Sequence, residues 1–369
     1  MSLTGVVGAR RPGPPKVQYF SGLPAVGVHV ANPAPIRIAV LPVWFALRTA
    51  AGCWSRTKRA EHQQSHLWRP MSRCASFQAM PVAAANGIEI NYTDSGGQGP
   101  AVVFSHGYLM DHTMFDRQVT ALAPQYRVIT WDQRGHGGTR TTGAFTYWDS
   151  AADVLALLGQ LGVERAVLAG MSQGGFVSLR AALTAPDRVR ALVLIDSQAG
   201  LEDPAVAPGY EQLHQAWLEH GPGPVQEVVA SIILGPGQWD GWYAKWNEQY
   251  AQWAPDDLGQ LTWPFRCLMD RDDMTGRLAE ITCPTLIVHG TADAAIPLAR
   301  AEAARDGLGG PVTFIVVEGA AHASNVTHPD EVNQAILGFL SGLNGGLNGL
   351  RRTAGGPRAG HGPPRGWPA

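Results

Sequence analysis

The stretch Ala166-Val167-Leu168-Ala169-Gly170-Met171-Ser172-Gln173-Gly174-Gly175-Phe176 decides how this chain is read. A short apolar run ends in G-x-S-x-G and passes directly into a helix-like segment, Phe176 to Ala185. That order predicts a strand, a sharp turn and a helix, with Ser172 at the tip of the turn. Such a turn strains the serine backbone and presents its hydroxyl outward. The flanking glycines let strand and helix approach closely.

A nucleophilic serine needs a base, and the base needs an acid to orient it. Downstream, Pro284 to His289 reads as a buried strand followed by Gly290-Thr291-Ala292-Asp293. Val312 to Val317 reads as another, followed by Glu318-Gly319-Ala320-Ala321-His322. Asp293 and His322 are thus expected on loops just past strand C-termini, where open α/β sheets gather functional groups. The expected catalytic set is Ser172, Asp293 and His322. Asp196, after the strand Ala191 to Ile195, is the alternative acid. Asp293 is preferred because H-G-x-x-D has a fitting loop length and leads to Ile296-Pro297, a helix start.

Four segments carry a family resemblance: F-S-H-G-Y at 104–108, D-Q-R-G-H-G at 132–137, G-M-S-Q-G-G at 170–175, and H-G-T-A-D at 289–293 with G-A-A-H at 319–322. From about Val82 to Leu340 the chain resembles the α/β-hydrolase fold superfamily in its single-domain, cap-bearing branch. The order Ser…Asp…His is that superfamily's order. Within it the chain is similar to carboxylesterases, 3-oxoadipate enol-lactonases and cofactor-free haloperoxidases. Haloalkane dehalogenases and epoxide hydrolases share the fold but use an aspartate nucleophile, and Ser172 argues against both.

Acyl transfer builds negative charge on a carbonyl oxygen, which backbone N–H groups in a dry site stabilise. The Gln173 N–H, at a helix N-terminus, is one expected oxyanion donor. By resemblance the Tyr108 N–H, after His106-Gly107, is the other. His106 is expected to bond loop backbone rather than move protons. Asp132 and Arg134 are expected to lock a Gly-rich turn by charge-assisted hydrogen bonds.

The alternation of apolar runs and helical segments predicts an α/β protein with a mostly parallel, doubly wound sheet. Strands are expected near 101–105, 126–131, 166–170, 191–195, 284–289 and 312–317. Helices are expected near 112–123, 147–161, 174–185, 298–307 and 329–342. The core is therefore 80–196 and 283–342, and by the resemblance 197–282 is a helical cap inserted between the sixth and seventh of the fold family's strands. Six of the twelve tryptophans lie in that insertion. Trp239, Trp242 and Trp246 are expected to line the substrate pocket, since aromatic rings build apolar walls.

The net charge of −2 hides an asymmetry. Residues 1–79 carry ten basic and one acidic side chain, and 341–369 carry four arginines and no acid. The body between holds 14 basic and 29 acidic residues, a balance of −15 that argues against nucleic acid as a partner. Residues 1–79 lack a sustained period and are expected to be disordered or non-physiological. Met80, with Met71 as the alternative, is the expected start, and an organelle transit peptide is the competing reading. Residues 343–369, rich in Gly, Pro and Arg, are expected to be disordered. Ile36 to Leu47 is too short to span a bilayer, so no membrane partner is expected. Cysteines at 53, 74, 267 and 283 show no disulfide or metal spacing, which fits the cytoplasm.

Ser172 chemistry needs no cofactor and no metal. The expected activity is hydrolysis of a small-molecule carboxylic ester through an acyl-enzyme. A lactonase or C–C bond hydrolase with the same triad, an acyltransferase and a non-catalytic ligand receptor remain as alternatives, and a homo-oligomer stays open.

Overall fold

The alternation read from the sequence produces eight strands in one sheet in the computed structural model. The model describes the backbone at residues 27–28, 36–37, 80–254 and 257–353, and side chains from 80 to 254 and 257 to 343. Met1–Val40 and Leu41–Ala369 form two units. Of the first, only an antiparallel ladder between Gly27–Val28 and Ile36–Arg37 is described. The rest of 1–79, and 354–369, lie outside the described residues, and with them most of the expectations about the two tails.

The strands are β1 (Val82–Ala85), β2 (Ile88–Asp94), β3 (Ala101–Ser105), β4 (Arg127–Trp131), β5 (Ala166–Met171), β6 (Val189–Ile195), β7 (Thr285–Gly290) and β8 (Val312–Val317). Their order in the sheet is β8-β7-β6-β5-β3-β4-β2-β1. β2 pairs antiparallel with both β1 and β4, and all other pairings are parallel. The β1–β2 turn is Asn86-Gly87, both at positive φ (50° and 77°), as a two-residue hairpin requires.

β3, β5 and β7 are buried along their whole lengths, because helices cover both faces of a parallel sheet. Those helices are α1 (Asp116–Leu122), α2 (Tyr147–Gln160), α3 (Gln173–Thr184) and, after the insertion, α8 (Leu298–Gly307), α9 (Ser324–Thr327) and α10 (Pro329–Thr353). The segment expected as one helix from 112 begins as a 3-10 turn, His112–Phe115, nucleated by the Asp111 side chain accepting from Thr113 N. α10 runs eleven residues past the boundary drawn at 342. The glycines of G-L-N-G-G-L-N-G-L signal a tail locally, yet the leucine spacing also suits a helix.

Between β6 and β7 the chain leaves the sheet and forms four helices: α4 (Ala207–His220), α5 (Gln226–Ile233), α6 (Asp240–Trp253) and α7 (Gly259–Met269). Among the described residues no helix is long and apolar enough to cross a membrane.

Candidate active site

The turn from β5 into α3 is as sharp as its glycines imply. Ser172 sits at φ 50°, ψ −116°, which a side-chain-bearing residue adopts only when its surroundings over-determine it. Three hydrogen bonds do so. Ser172 N donates to Ile195 O at 2.9 Å, and Ser172 O accepts from Gly175 N at 2.9 Å and from Ser197 Oγ at 2.8 Å. A Cβ on Gly170 would overlap the Gly174 backbone, and one on Gly174 would overlap Ser105 O, so both must be glycine. Ser172 itself is nearly buried and opens into one cavity.

His322 lines the same cavity from the β8–α9 loop. Its Nδ1 lies 2.9 Å from Asp293 Oδ2. A carboxylate oxygen accepts, so Nδ1 carries the proton and Nε2 is left as the ring's acceptor. Burial alone pulls the imidazole down, but the charge and hydrogen bond of Asp293 outweigh it and raise His322 above its ordinary value. Asp293 is fixed in turn. Its Oδ1 accepts from Ala295 N at 2.9 Å and Ile296 N at 2.8 Å. Burial works against its charge, yet the charges and hydrogen bonds of His322 and His289 hold it well below the usual carboxylate range.

Asp196 stands nearby with both oxygens committed to backbone. Oδ1 accepts from Gly290 N and Oδ2 from Ser324 N, each at 2.9 Å. It clamps the end of β7 to the start of α9, and burial together with the Asp293 charge pushes its carboxyl up. Ligand atoms of Asp196, His289 and Asp293 lie within 4.8 Å of one another, a spacing that could suit a metal. Most of them are already spent within the protein, His289 Nε2 contacting Ile296 O at 2.8 Å. The cluster reads as a loop clamp.

Of the two expected oxyanion donors, Gln173 follows Ser172 directly and Tyr108 lines the cavity that Ser172 lines. Gln173 opens α3, where the first N–H groups lack intrahelical partners. Its side chain is held by Tyr147, whose hydroxyl donates to Gln173 Oε1 at 3.1 Å. Tyr147 stands in position because Thr146 and Asp149 form a capping box at the start of α2. Tyr108 lies in a turn closed by Met110 N donating to Gly107 O at 3.2 Å, with Leu109 at φ 61°. The Tyr108 N–H makes no hydrogen bond among the described residues.

His106 bonds loop backbone, as its sequence context suggests. Nε2 accepts from Gln133 N at 2.9 Å, so Nδ1 donates to Gly107 O at 2.8 Å, and the ring is fully buried. Asp132 and Arg134 do not pair with each other. Asp132 Oδ1 accepts from His112 N and Nδ1, and Oδ2 from Gly138 N. Arg134 instead reaches α2 and grips Asp153 at 2.6 and 2.8 Å. The loop is tied to two neighbours as well as to itself, through Gly138 N.

Three of the inserted helices line the cavity, whose volume is ≈ 110 Å³. An apolar cavity of about 150 Å³ is enough for a benzene ring, which sets the scale of the bound group. α4 turns Tyr210, Leu213, His214 and Trp217 toward it, α5 Val229, Ile232 and Ile233, and α7 Phe265 and Leu268. Here the tryptophan expectation is corrected, because Trp239, Trp242 and Trp246 do not line the cavity. Trp239 Nε1 donates to Gly235 O at 3.0 Å, and the Trp242 ring carries the Lys245 ammonium 4.8 Å from its centroid. Trp246 is 1% exposed and donates to Leu109 O at 2.7 Å, so it is spent in the seam between α6 and the Tyr108 turn. Lys245 reinforces that seam at 3.2 Å from both oxygens of Asp111. The i, i+3, i+4, i+7 spacing of 210, 213, 214 and 217 was the sequence signal that marks the lining face.

Comparison with known proteins agrees with this architecture. The family model for the alpha/beta hydrolase fold matches residues 100–329. The chain is similar to 3-oxoadipate enol-lactonase 1 of Acinetobacter baylyi, 29% identical over 272 residues, which cover 69% of this chain and 93% of that protein. It is also similar to epoxide hydrolase A of Mycobacterium tuberculosis, 26% identical over 310 residues, covering 70% and 96%. Among solved structures it resembles an esterase from Thermogutta terrifontis, with a TM-score of 0.60, 26% identity, and 72% and 97% of the two chains covered. The chain belongs to the α/β-hydrolase fold family and is a hydrolase of that family.

Proposed function

We propose that this α/β-hydrolase cleaves a small-molecule carboxylic ester through an acyl-enzyme on Ser172. One observation carries the reading: a strained serine and an Asp-bound histidine open into one apolar cavity. His322 Nε2 takes the Ser172 proton as Oγ attacks the ester carbonyl. The Tyr108 and Gln173 N–H groups hold the oxyanion. The protonated His322, stabilised by Asp293, then gives its proton to the leaving alkoxide as the C–O bond breaks. A water deprotonated by His322 attacks the acyl-enzyme, releasing the acid and restoring Ser172. No step calls for a cofactor. The helices of the insertion act as a cap that shapes the acyl pocket.

A lactone is an internal ester and follows the same steps, and similarity to an enol-lactonase supports it as the second substrate class. Similarity to an epoxide hydrolase does not redirect the mechanism, because a serine stands at the nucleophile position. Cys267 and Cys283 form no disulfide, which supports a reducing compartment such as the cytoplasm. The test is a panel of esters and lactones assayed with the full chain and with Ser172→Ala. Turnover of an ester or lactone that Ser172→Ala abolishes is expected, and equal turnover by both proteins would refute the reading.

A further inference from the structure

We infer that the cavity selects substrates whose acyl portion carries no carboxylate, and that Glu202 enforces this selection. The inference deepens the ester-hydrolase reading and rests on it. Glu202, just after β6, is the one acidic side chain among the described residues that line the cavity, and no Lys or Arg lines it. The remaining walls are largely aliphatic and aromatic.

Two arginines, Arg266 on α7 and Arg271 just after it, neighbour lining residues in the sequence, and both are committed. Arg271 lies 3.3 Å from Glu202 Oε2, donates to Gly200 O at 3.1 Å and Leu268 O at 2.6 Å, and stacks 4.7 Å from the Phe176 ring centroid. Its side chain is 2% exposed. Arg266 contacts both carboxylate oxygens of Glu211 at 2.5 Å. His214, stacked on Phe265 at 3.9 Å, supplies no positive charge either, because burial pulls its imidazole down to about 4.

A substrate carboxylate entering this cavity leaves water and meets no lining cation to replace its hydration. It meets Glu202 instead: Arg271 offsets part of that charge, but the carboxylate lines the cavity and the guanidinium does not, so the nearer charge repels the substrate. A neutral acyl chain loses no such hydration and gains apolar contact with α4, α5 and α7.

The test compares ethyl levulinate with monoethyl succinate, which differ mainly in a methyl ketone against a carboxylate. Proton release by the full chain is followed at roughly pH 8, well above the ordinary carboxylate range. The expected kcat/KM is at least about 100-fold higher for the levulinate ester. Glu202→Gln keeps an amide oxygen for Arg271 and is expected to narrow that ratio about tenfold or more. Equal rates on the two esters in the wild-type chain overturn the inference without any variant. An unchanged ratio in Glu202→Gln, or in Glu202→Leu where the glutamine variant fails to fold, removes Glu202 from the role. Turnover of neither ester, or turnover that survives Ser172→Ala, overturns the Ser172 reading and this inference with it.

Discussion

At the C-terminal end of the sheet, the groups proposed to react are pinned by backbone. Ser172 is tied to Ile195 and Gly175, and Asp293 to Ala295 and Ile296. Across the cavity, α4, α5 and α7 offer aliphatic and aromatic side chains whose positions depend on helix packing. The first arrangement tolerates almost no change, since displacing a reacting atom by an ångström can cost orders of magnitude in rate. The second tolerates exchange of one apolar side chain for another, at a cost set by contact area. On the proposed mechanism, chemistry and selectivity therefore reside in different regions, and substitutions should separate them.

The largest expected effects lie on the sheet. Ser172→Ala and His322→Ala should each lower kcat on an activated ester by about 10⁴-fold or more, and the double variant little further. Retention of a tenth of the wild-type rate by either would break the comparison at its strongest point.

Next come the two buried acids. Asp293→Asn should cost roughly 10³- to 10⁴-fold in kcat, because it removes the acceptor that sets the His322 tautomer. Asp196→Asn should act mainly through stability, since its oxygens serve Gly290 and Ser324. The pH profile adds an independent readout. His322 must be unprotonated to act as base, so kcat/KM should fall as pH drops through its raised pKa. Without the Asp293 charge that pKa falls, and the acid limb of the residual activity should move to lower pH. A limb unmoved in Asp293→Asn but moved in Asp196→Asn would exchange the two roles.

This division also explains what the sequence disclosed. Ser172, Asp293 and His322 could be located because a strained turn and two strand-end loops demand particular residues at particular spacings. The six parallel strands could be read from runs such as Val102–Phe104 and Leu192–Ile195, which only a doubly covered sheet buries, whereas their order in the sheet is not written in those runs. The pocket was harder to read. A tryptophan has similar area whether it faces a ligand or a seam, so composition alone could not separate Trp246, bonded to Leu109, from Trp217, on the cavity wall. Glu202 lies in a loop with no period to mark it. The partners of Asp132 and Arg134 come from His112 and Asp153, contacts that spacing within the turn does not encode.

Trp246 and Trp217 sharpen the comparison, because their rings meet edge to face, 5.7 Å apart, yet one sits in a seam and the other on the cavity wall. Trp246→Phe removes the donor to Leu109 O beside the Tyr108 N–H. It should lower kcat about tenfold on small and bulky esters alike, with a stability loss of about 1 kcal/mol. Trp217→Ala should instead shift KM and chain-length preference, weakening bulky esters by roughly 1–3 kcal/mol in kcat/KM. A small acetate ester should stay within about tenfold, provided thermal melts show that the variant is folded. The same profile from both variants would mean that the insertion acts as one wall without a separate oxyanion support.

The central claim is covalent chemistry at Ser172, and a neutral alkylphosphonate diester with a p-nitrophenolate leaving group tests it most directly. Attack by Ser172 Oγ forms an O–P bond and expels p-nitrophenolate, leaving a stable adduct that mimics the tetrahedral intermediate. Intact-mass and peptide mass spectrometry of the full chain should show a single phosphonyl group on the peptide containing Ser172, with activity lost in proportion to labelling. An unlabelled protein that hydrolyses esters, or an adduct on another residue that accounts for the lost activity, would contradict the account.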